Sequence, residues 1–331
     1  MVGCGRIAHR HAEQIALHGR LVAVADIVPE KAEAFGKLWN AAIFYSLDAL
    51  LQSSVAIDVL VVCTPNGLHA AHSIAALNKG IHVLCEKPMA IHSNDCLAMI
   101  EAAEKNQAQL FVVKQNRFNP PVLALKKAVD ENRLGDIYSI QLNCFWNRGN
   151  DYYASSWKGT KDLDGGTLYT QFSHFIDLLY WILGDIQKVL ALSANLAHTN
   201  TIAFEDTGVV ALEFTSGALG TIHFTVNSFA KNMEGSLTVF GEKGTVKIGG
   251  QYLNELEYQC IEGYEIKEIS PGKPANEYGS YSGSMSNHDK VYAAVVDALT
   301  NGREFANLYD AFKTVEIIEK IYAAANQQQK L

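Results

Sequence analysis

None of the six cysteines (Cys4, Cys63, Cys85, Cys96, Cys144 and Cys260) is spaced with another as a C-x-x-C pair. That absence argues against a structural zinc site and a disulfide framework, so no metal is expected. Several of the cysteines sit inside apolar, strand-like runs, where a free thiol behaves as a small hydrophobe. A reducing, cytoplasmic setting follows. Positive charge is also lacking. The formal net charge is -8, which removes the basic footprint of a nucleic-acid binder but leaves room for a locally basic pocket. No apolar run approaches the length of a membrane span, and no signal-peptide pattern opens the chain, so no membrane partner is expected. There are no internal repeats, and the one low-complexity tract is the short Gln327-Gln328-Gln329 tail. What is present is 331 residues, 48% hydrophobic and 19% charged. That is the balance of a soluble globular enzyme with chain enough for two cores.

The first third alternates apolar runs with amphipathic stretches. Leu21–Ala25 ends in Asp26, Val55–Cys63 in Thr64-Pro65-Asn66, Ile81–Cys85 in Glu86-Lys87-Pro88, and Gln109–Val113 in Lys114-Gln115-Asn116. Between them the spacing predicts helices over Ala8–His18, Pro29–Trp39, His69–Asn78 and Asn94–Asn106. Such alternation implies a parallel, doubly wound sheet. Beyond about residue 120 the texture changes. A helix over Pro121–Glu131 leads into longer runs with period-2 character: Ile137–Trp146, Val189–Ala197, Gly208–Phe214, Ala218–Val226, Gly235–Phe240 and Gly244–Ile248. These read as a largely antiparallel sheet, with a helix over Thr170–Leu183 inserted before most of it. Ser270–Ser286, rich in Gly, Ser and Pro, reads as a loop, and helices near His288–Thr300 and Tyr309–Asn326 close the chain.

Gly3-Cys4-Gly5-Arg6-Ile7-Ala8 matches G-x-G-x-x-A. Its first Gly permits the tight turn, its second lets backbone approach a pyrophosphate, and the helix that follows holds the anion at its N-terminus. Asp26 ends the next strand, where a carboxylate accepts from ribose hydroxyls. The same residue is also placed to cap the helix that begins at Pro29. No basic residue follows Asp26 closely to meet a 2′-phosphate, which favours NAD over NADP. The strand expected before Gly3 is nearly absent, since the chain starts Met1-Val2. Either the true start lies upstream or the fold tolerates a missing strand.

Lys87 sits where open α/β sheets bind ligands, at the C-terminal end of an apolar strand. Burial there lowers a lysine's pKa, and Pro88 makes the turn rigid. The alternative is a surface lysine in an ordinary strand-to-helix turn. Gly165-Gly166 precedes a stretch carrying His174 and Asp177, three apart on one helix face. In the same order as in the Gfo/Idh/MocA oxidoreductases, the chain carries Gly3-x-Gly5, Asp26, Thr64-Pro65-Asn66-x-x-His69, Glu86-Lys87-Pro88, Arg117-Phe118-Asn119-Pro120 and the double-Gly helix. The resemblance covers nearly the whole chain. It implies a Rossmann dinucleotide-binding domain over 1–117 and, over 118–331, a C-terminal α+β domain with a large open, mostly antiparallel sheet. It also implies oxidation or reduction at a sugar-like carbinol, with NAD held by Gly3, Gly5, Arg6, Ile7, Asp26, Thr64, Pro65, Asn66, His69, Glu86 and Gln115. Lys87 and His174 are the implied catalytic pair, and the open sheet is the implied homodimer or homotetramer interface.

A subgroup is also suggested. Lys114–Pro121, Phe145-Trp146-Asn147-Arg148, Asp151-Tyr152-Tyr153, Trp157–Thr160 and Lys231–Ser236 resemble the WlbA-type UDP-N-acetylglucosaminuronate 3-dehydrogenases of surface-polysaccharide biosynthesis. The residues expected to meet a UDP-sugar are Lys114, Arg117, Arg148, Trp157, Lys158, Thr170, Gln171, Asp177 and Lys231. The cations among them suit a pyrophosphate or a uronate carboxylate, although each taken singly also reads as a solvated surface charge. Trp146, Tyr152, Tyr153 and Trp157 suit stacking on sugar or uracil, or the core. Many family members carry Asp where this chain has Thr170, and a hydroxyl cannot charge-pair with Lys87. The runner-up functions are another sugar or inositol dehydrogenase of the family, or a non-catalytic NAD- or sugar-binding regulator.

Overall fold

A computed structural model describes residues 1–154, 157–267, 269–270, 272–277, 282–303, 305 and 308–328. The chain forms two compact units, Met1–Val113 with His288–Val315, and Lys114–Asn287 with Glu316–Leu331. In chain order it begins with α1 (Arg6–His18), β1 (Ala23–Ala25), α2 (Pro29–Trp39), β2 (Ala42–Phe44), α3 (Leu47–Gln52) and β3 (Val59–Val62). It continues with α4 (His69–Leu77), β4 (His82–Cys85), α5 (Ser93–Lys105), β5 (Leu110–Val112) and α6 (Pro120–Asp130). Then come β6 (Ile137–Phe145), α7 (Asn150–Tyr153), α8 (Thr167–Thr170), α9 (Ser173–Leu183), β7 (Ile186–Ala194), β8 (Thr207–Phe214) and β9 (Leu219–Thr225). The chain ends through β10 (Glu234–Gly241), β11 (Gly244–Gly249), β12 (Glu255–Ile261), β13 (Ala275–Glu277), β14 (Ser282–Met285), α10 (His288–Asn301) and α11 (Leu308–Gln328). No described helix is long and apolar enough to cross a membrane.

Every strand pairing in the first unit is parallel: β1 with β2, and β4 with both β3 and β5. The strand expected before Gly3 is reduced to one bridged residue. Val2 pairs in parallel with both Ala25 and Val62, which seats it between β1 and β3. Ala25 N donates to Met1 O, Val2 N to Val61 O, and Cys63 N to Val2 O. The ladder is therefore continuous there despite the short segment. Val24, Leu60, Val62, Val83 and Leu84 are completely buried, as a parallel sheet covered on both faces requires. β2 and α3 were not anticipated from the sequence. β2 is short and half-exposed, so it lacks the apolar run that marks its neighbours.

The second unit is built on a seven-stranded sheet, order β12-β11-β10-β6-β9-β8-β7. It is antiparallel throughout except where β6 lies parallel to β9. Alternation along β9 puts Gly220, Ile222 and Phe224 on the buried face and Leu219, Thr221 and His223 on the other. Phe172 and Phe175 cover the buried face, with ring centroids 6.2 Å from Phe224 and 5.6 Å from Trp146 respectively. Within the chain the opposite face stays open: Leu190, Leu192 and Leu219 are 53%, 67% and 59% exposed.

Two expectations need correction. The helix expected to run from Thr170 to Leu183 begins instead at Ser173 as α9, and Thr170 ends a separate short helix, α8. Phe172 leaves helical geometry (φ -118°, ψ 6°) and its ring is fully buried in the aromatic core. Core packing overrides helix continuity there. The loop over Ser270–Ser286 contains the hairpin strands β13 and β14; positions 271 and 278–281 of that loop lie outside the described residues, as does Gln329 of the tail.

Candidate active site

In the first unit the predicted dinucleotide residues gather at the C-terminal ends of the parallel strands. Gly3 has φ +86°, and a Cβ there would lie 2.6 Å from Cys63 O, so only glycine fits this turn. Gly5 caps α1, and no heavy atom lies within 4 Å of where its Cβ would sit. The first turn of α1, which carries Arg6 and Ile7, has neither a side-chain cap nor an acidic residue. An open helix N-terminus free of carboxylate is suited to an anion, so these residues fit a dinucleotide's pyrophosphate. Asp26 accepts from Cys4 N through Oδ2 (2.7 Å) and from Val28 N through Oδ1 (2.8 Å). It thus ties the glycine turn to the end of β1. Each carboxylate oxygen keeps a further lone pair for a ribose hydroxyl.

Thr64-Pro65 leads from β3 into a short 3-10 turn, Asn66–Leu68. His69, buried at the start of α4, joins two loops: Nδ1 lies 2.7 Å from Pro88 O and Nε2 2.9 Å from Thr64 O. Burial pushes its pKa down, against the raising effect of both carbonyls. A neutral ring carries one N–H and donates to one of the two carbonyls, so His69 packs between the loop after β3 and the turn that carries Lys87 while bonding one of them.

Glu86 and half-buried Lys87 follow β4 directly. Lys87 N donates to Glu86 Oε2 at 3.0 Å, and His11 Nε2 lies 2.8 Å from Glu86 Oε1. Burial alone would raise the Glu86 pKa, but hydrogen bonding from His11 and His288 holds it well below the carboxylate range. Glu86 is therefore a buried anion adjoining Lys87.

In the second unit Gln115 and Arg117 lie in a 3-10 turn, Gln115–Phe118. Asp177 of α9 accepts from Lys114 Nζ at 2.6 Å, from Arg117 Nε at 2.8 Å and from Arg117 Nη2 at 2.7 Å. Burial would raise the Asp177 pKa, but Arg117 and Lys114 outweigh it and hold the group well below the ordinary range. Arg117 also stacks 4.9 Å from the Trp181 ring. Three predicted substrate residues thus form one buried ion cluster, a bonding pattern that by itself serves the fold.

A second group is disposed differently. Arg148 Nε donates to Gln171 Oε1 (2.8 Å), and Gln171 Nε2 donates to Tyr152 OH (2.8 Å). Lys158 Nζ lies 3.6 Å from the centroid of the Tyr152 ring, and the Arg148 guanidinium 5.0 Å from that of Trp146. Asn232 Oδ1 accepts from Asn147 N and Arg148 Nη1, while the adjacent Lys231 is exposed. Two cations, two primary amides and two aromatic rings therefore stand together, with Arg148, Gln171, Asn232 and Trp146 buried. Trp157 is half-buried nearby in sequence. A cleft of about 490 Å³ bounded by Glu234, Lys247, Tyr252 and Lys273 contains none of the predicted residues.

His174 opens α9 and is buried. One turn earlier, Thr170 Oγ1 donates to the Asp164 carboxylate. Asp164 also accepts from Gly159 N at 2.8 Å, and burial lifts it to about 6. Glu205 accepts from Tyr322 OH at 2.7 Å and from Thr167 N at 3.2 Å, and burial lifts it to about 7. Sequence reading missed Asp164, Glu205, Tyr322, His11, His288 and Tyr292. Asp164 alone left a local signal, standing directly before Gly165-Gly166.

Two family models match. One, described as the oxidoreductase family with NAD-binding Rossmann fold, spans residues 1–114, and the C-terminal domain model of the same family spans 122–247. Among solved structures, the WlbA dehydrogenase of Chromobacterium violaceum with NADH and UDP-GlcNAcA is 37% identical with TM-score 0.90, covering 99% of this chain and 93% of that one. The WlbA dehydrogenase of Bordetella pertussis with the same ligands is 36% identical with TM-score 0.88, covering 99% and 95%. The 2,7-anhydro-N-acetylneuraminate hydratase of Escherichia coli (strain K12) is 31% identical over 76% of this chain and 67% of its own length.

Proposed function

Because this chain belongs to the Gfo/Idh/MocA oxidoreductase family, we propose that it oxidises the C3 hydroxyl of UDP-N-acetyl-2-amino-2-deoxy-glucuronate to the 3-keto sugar. It is an NAD-dependent dehydrogenase acting on a CH–OH group. The observation that carries the substrate is the 36–37% identity, over 99% of the chain, to dehydrogenases crystallised with NADH and UDP-GlcNAcA. The Arg148, Gln171, Tyr152 and Lys158 group supports it, since it gathers two cations, an amide and a ring, the side-chain types that suit a pyrophosphate and a uronate.

NAD, when bound, accepts the hydride from the carbinol carbon. Gly3, Gly5, Arg6 and Ile7 hold its pyrophosphate, and Asp26 its adenosine ribose. Thr64, Pro65, Asn66, His69, Glu86 and Gln115 complete its binding. Lys87 takes the hydroxyl proton as general base, and His174 hydrogen-bonds the sugar. Lys114, Arg117, Arg148, Trp157, Lys158, Thr170, Gln171, Asp177 and Lys231 bind the nucleotide sugar. The protein works in the cytoplasm, in surface-polysaccharide biosynthesis. It assembles as a homodimer or homotetramer through the open face bearing Leu190, Leu192 and Leu219.

The test is NADH formation across a panel of UDP-sugars, free inositol and free glucose. The reading expects turnover of the UDP-uronate, weakened by added salt, and loss of about 10²–10⁴-fold in Lys87→Met. Salt-independent turnover of an uncharged free sugar would replace it with another sugar or inositol dehydrogenase. Binding without turnover of any panel member would favour a regulator.

A further inference from the structure

We propose that His11, Tyr292 and His288 are positioning residues for Lys87, acting through the carboxylate of Glu86. The proposal rests on the reading of Lys87 as the base and goes beyond it in naming what holds that base. The four groups come from three distant parts of the chain, with His11 standing 75 residues from Glu86 and 281 from Tyr292. All are buried: His11 is 0% exposed, His288 2%, and Glu86 and Tyr292 6% each. The contacts run in one line. Tyr292 OH lies 2.8 Å from His11 Nδ1, His11 Nε2 lies 2.8 Å from Glu86 Oε1, and Lys87 N donates to Glu86 Oε2 at 3.0 Å. His288 Nε2 approaches Glu86 Oε1 at 3.5 Å, its ring edge-on to His11.

Proton bookkeeping fixes the direction of this line. Burial keeps the Tyr292 phenol protonated and the His11 ring neutral. Glu86 is ionised and can only accept. His11 must then carry its one proton on Nε2, donate it to Glu86, and accept the Tyr292 proton on Nδ1. The 2.8 Å spacing is that of a hydrogen bond. Two ligands of one tetrahedral zinc, each about 2.0–2.1 Å from it, would stand about 3.3 Å apart.

A buried carboxylate is costly unless its oxygens are satisfied. Here one oxygen is held by imidazole and the other by the backbone of Lys87 itself. The cluster therefore pins the Lys87 turn and sets a fixed negative charge beside it. The titratable groups around that charge are His11 from α1, His288 and Tyr292 from α10, Cys63 and Cys85 at the ends of β3 and β4, and His69 from α4. Burial keeps both thiols and the phenol in their protonated forms, so none of them adds negative charge. A fixed anion stabilises the ammonium form of Lys87. Neutralising it should move the acid limb of the kcat profile to lower pH while misplacing the base.

The experiment measures kcat, KM and the pH profile with NAD and UDP-N-acetylglucosaminuronate. It compares wild type, His11→Leu, His11→Gln, Tyr292→Phe and Lys87→Met, each checked for folding by circular dichroism. His11→Leu should lower kcat roughly 10–100-fold, shift the acid limb to lower pH, and leave KM for NAD within about twofold. His11→Gln retains an N–H donor for Glu86 and should restore most of kcat and the limb. Tyr292→Phe, the mildest change, should move both quantities in the same direction by less. If Lys87→Met is inactive while folded His11→Leu or Tyr292→Phe keeps wild-type kcat and pH limb, positioning is overturned and the base assignment stands. Turnover by Lys87→Met overturns the base assignment and this proposal together.

Discussion

Asp26 illustrates how one residue serves two tasks. Its carboxylate holds the glycine turn through Cys4 N and its own loop through Val28 N, and it stands where the adenosine ribose is read in dinucleotide-binding folds. The sequence left a choice between ribose acceptor and cap of α2. In the structure the N-cap of α2 is Val28, without a side-chain cap; the Asp26 bond to Val28 N is an Asx-type turn ahead of that helix, so Asp26 does not cap α2, and its second oxygen reaches the glycine turn. Asp26→Ala should weaken NAD binding and narrow the preference for NAD over NADP, because the carboxylate that repels a 2′-phosphate is gone. Titration with both cofactors checks this; an unchanged NAD/NADP affinity ratio would leave Asp26 as a turn anchor alone.

Among the elements, α8 is held by acids rather than by an N-terminal cap of its own. Glu205 receives Thr167 N and Tyr322 OH, Asp164 receives the Thr170 hydroxyl, and Gly166 has no room for a side chain because a Cβ would meet Tyr322 OH at 2.3 Å. The folded pKa of Glu205, about 7, lies above the ordinary carboxylate value because burial disfavours its charge. The native state therefore binds the extra proton, and stability falls as pH rises from about 4.5 through about 7. Glu205→Gln keeps the acceptor and removes the ionisation. Its melting temperature should change little relative to wild type near pH 5, exceed it increasingly up to about pH 7, and keep a steady margin above that. A constant difference at every pH would show that the ionisation does not load the fold.

The same elements show what the sequence made legible. The strands ending in Asp26, Thr64, Glu86 and Lys114 announced themselves as apolar runs closed by polar turns, and α2 was bounded correctly because Pro29 sets its start and Asn40 its left-handed end. The split between α8 and α9 carried no Gly or Pro to mark it, since it is imposed by burial of Phe172. β12 was missed because its exposure does not alternate cleanly. At the site, Arg148, Gln171 and Lys158 were each named and are brought together, whereas Lys114, Arg117 and Asp177 proved to be bonded to one another. The partners of Glu86 could not be found by local reading, because His11 lies in α1 and His288 in α10, a C-terminal helix grouped with the first unit.

At the scale of the whole molecule, the seven-stranded sheet leaves an apolar face that the chain itself does not cover. Leu192→Glu on that face should dissociate the assembly, and sedimentation of wild type and variant checks it. A wild-type monomer at micromolar concentration would remove the proposed interface. The central claim is that hydride leaves C3 of a UDP-activated uronate under general-base catalysis by Lys87. It is tested most directly with UDP-N-acetylglucosaminuronate deuterated at C3. The account predicts deuterium in the reduced nicotinamide, a 3-keto sugar in equal amount, and neither product with Lys87→Met. Deuterium retained in the sugar while NADH forms, or product formation by Lys87→Met at the wild-type rate, would contradict it.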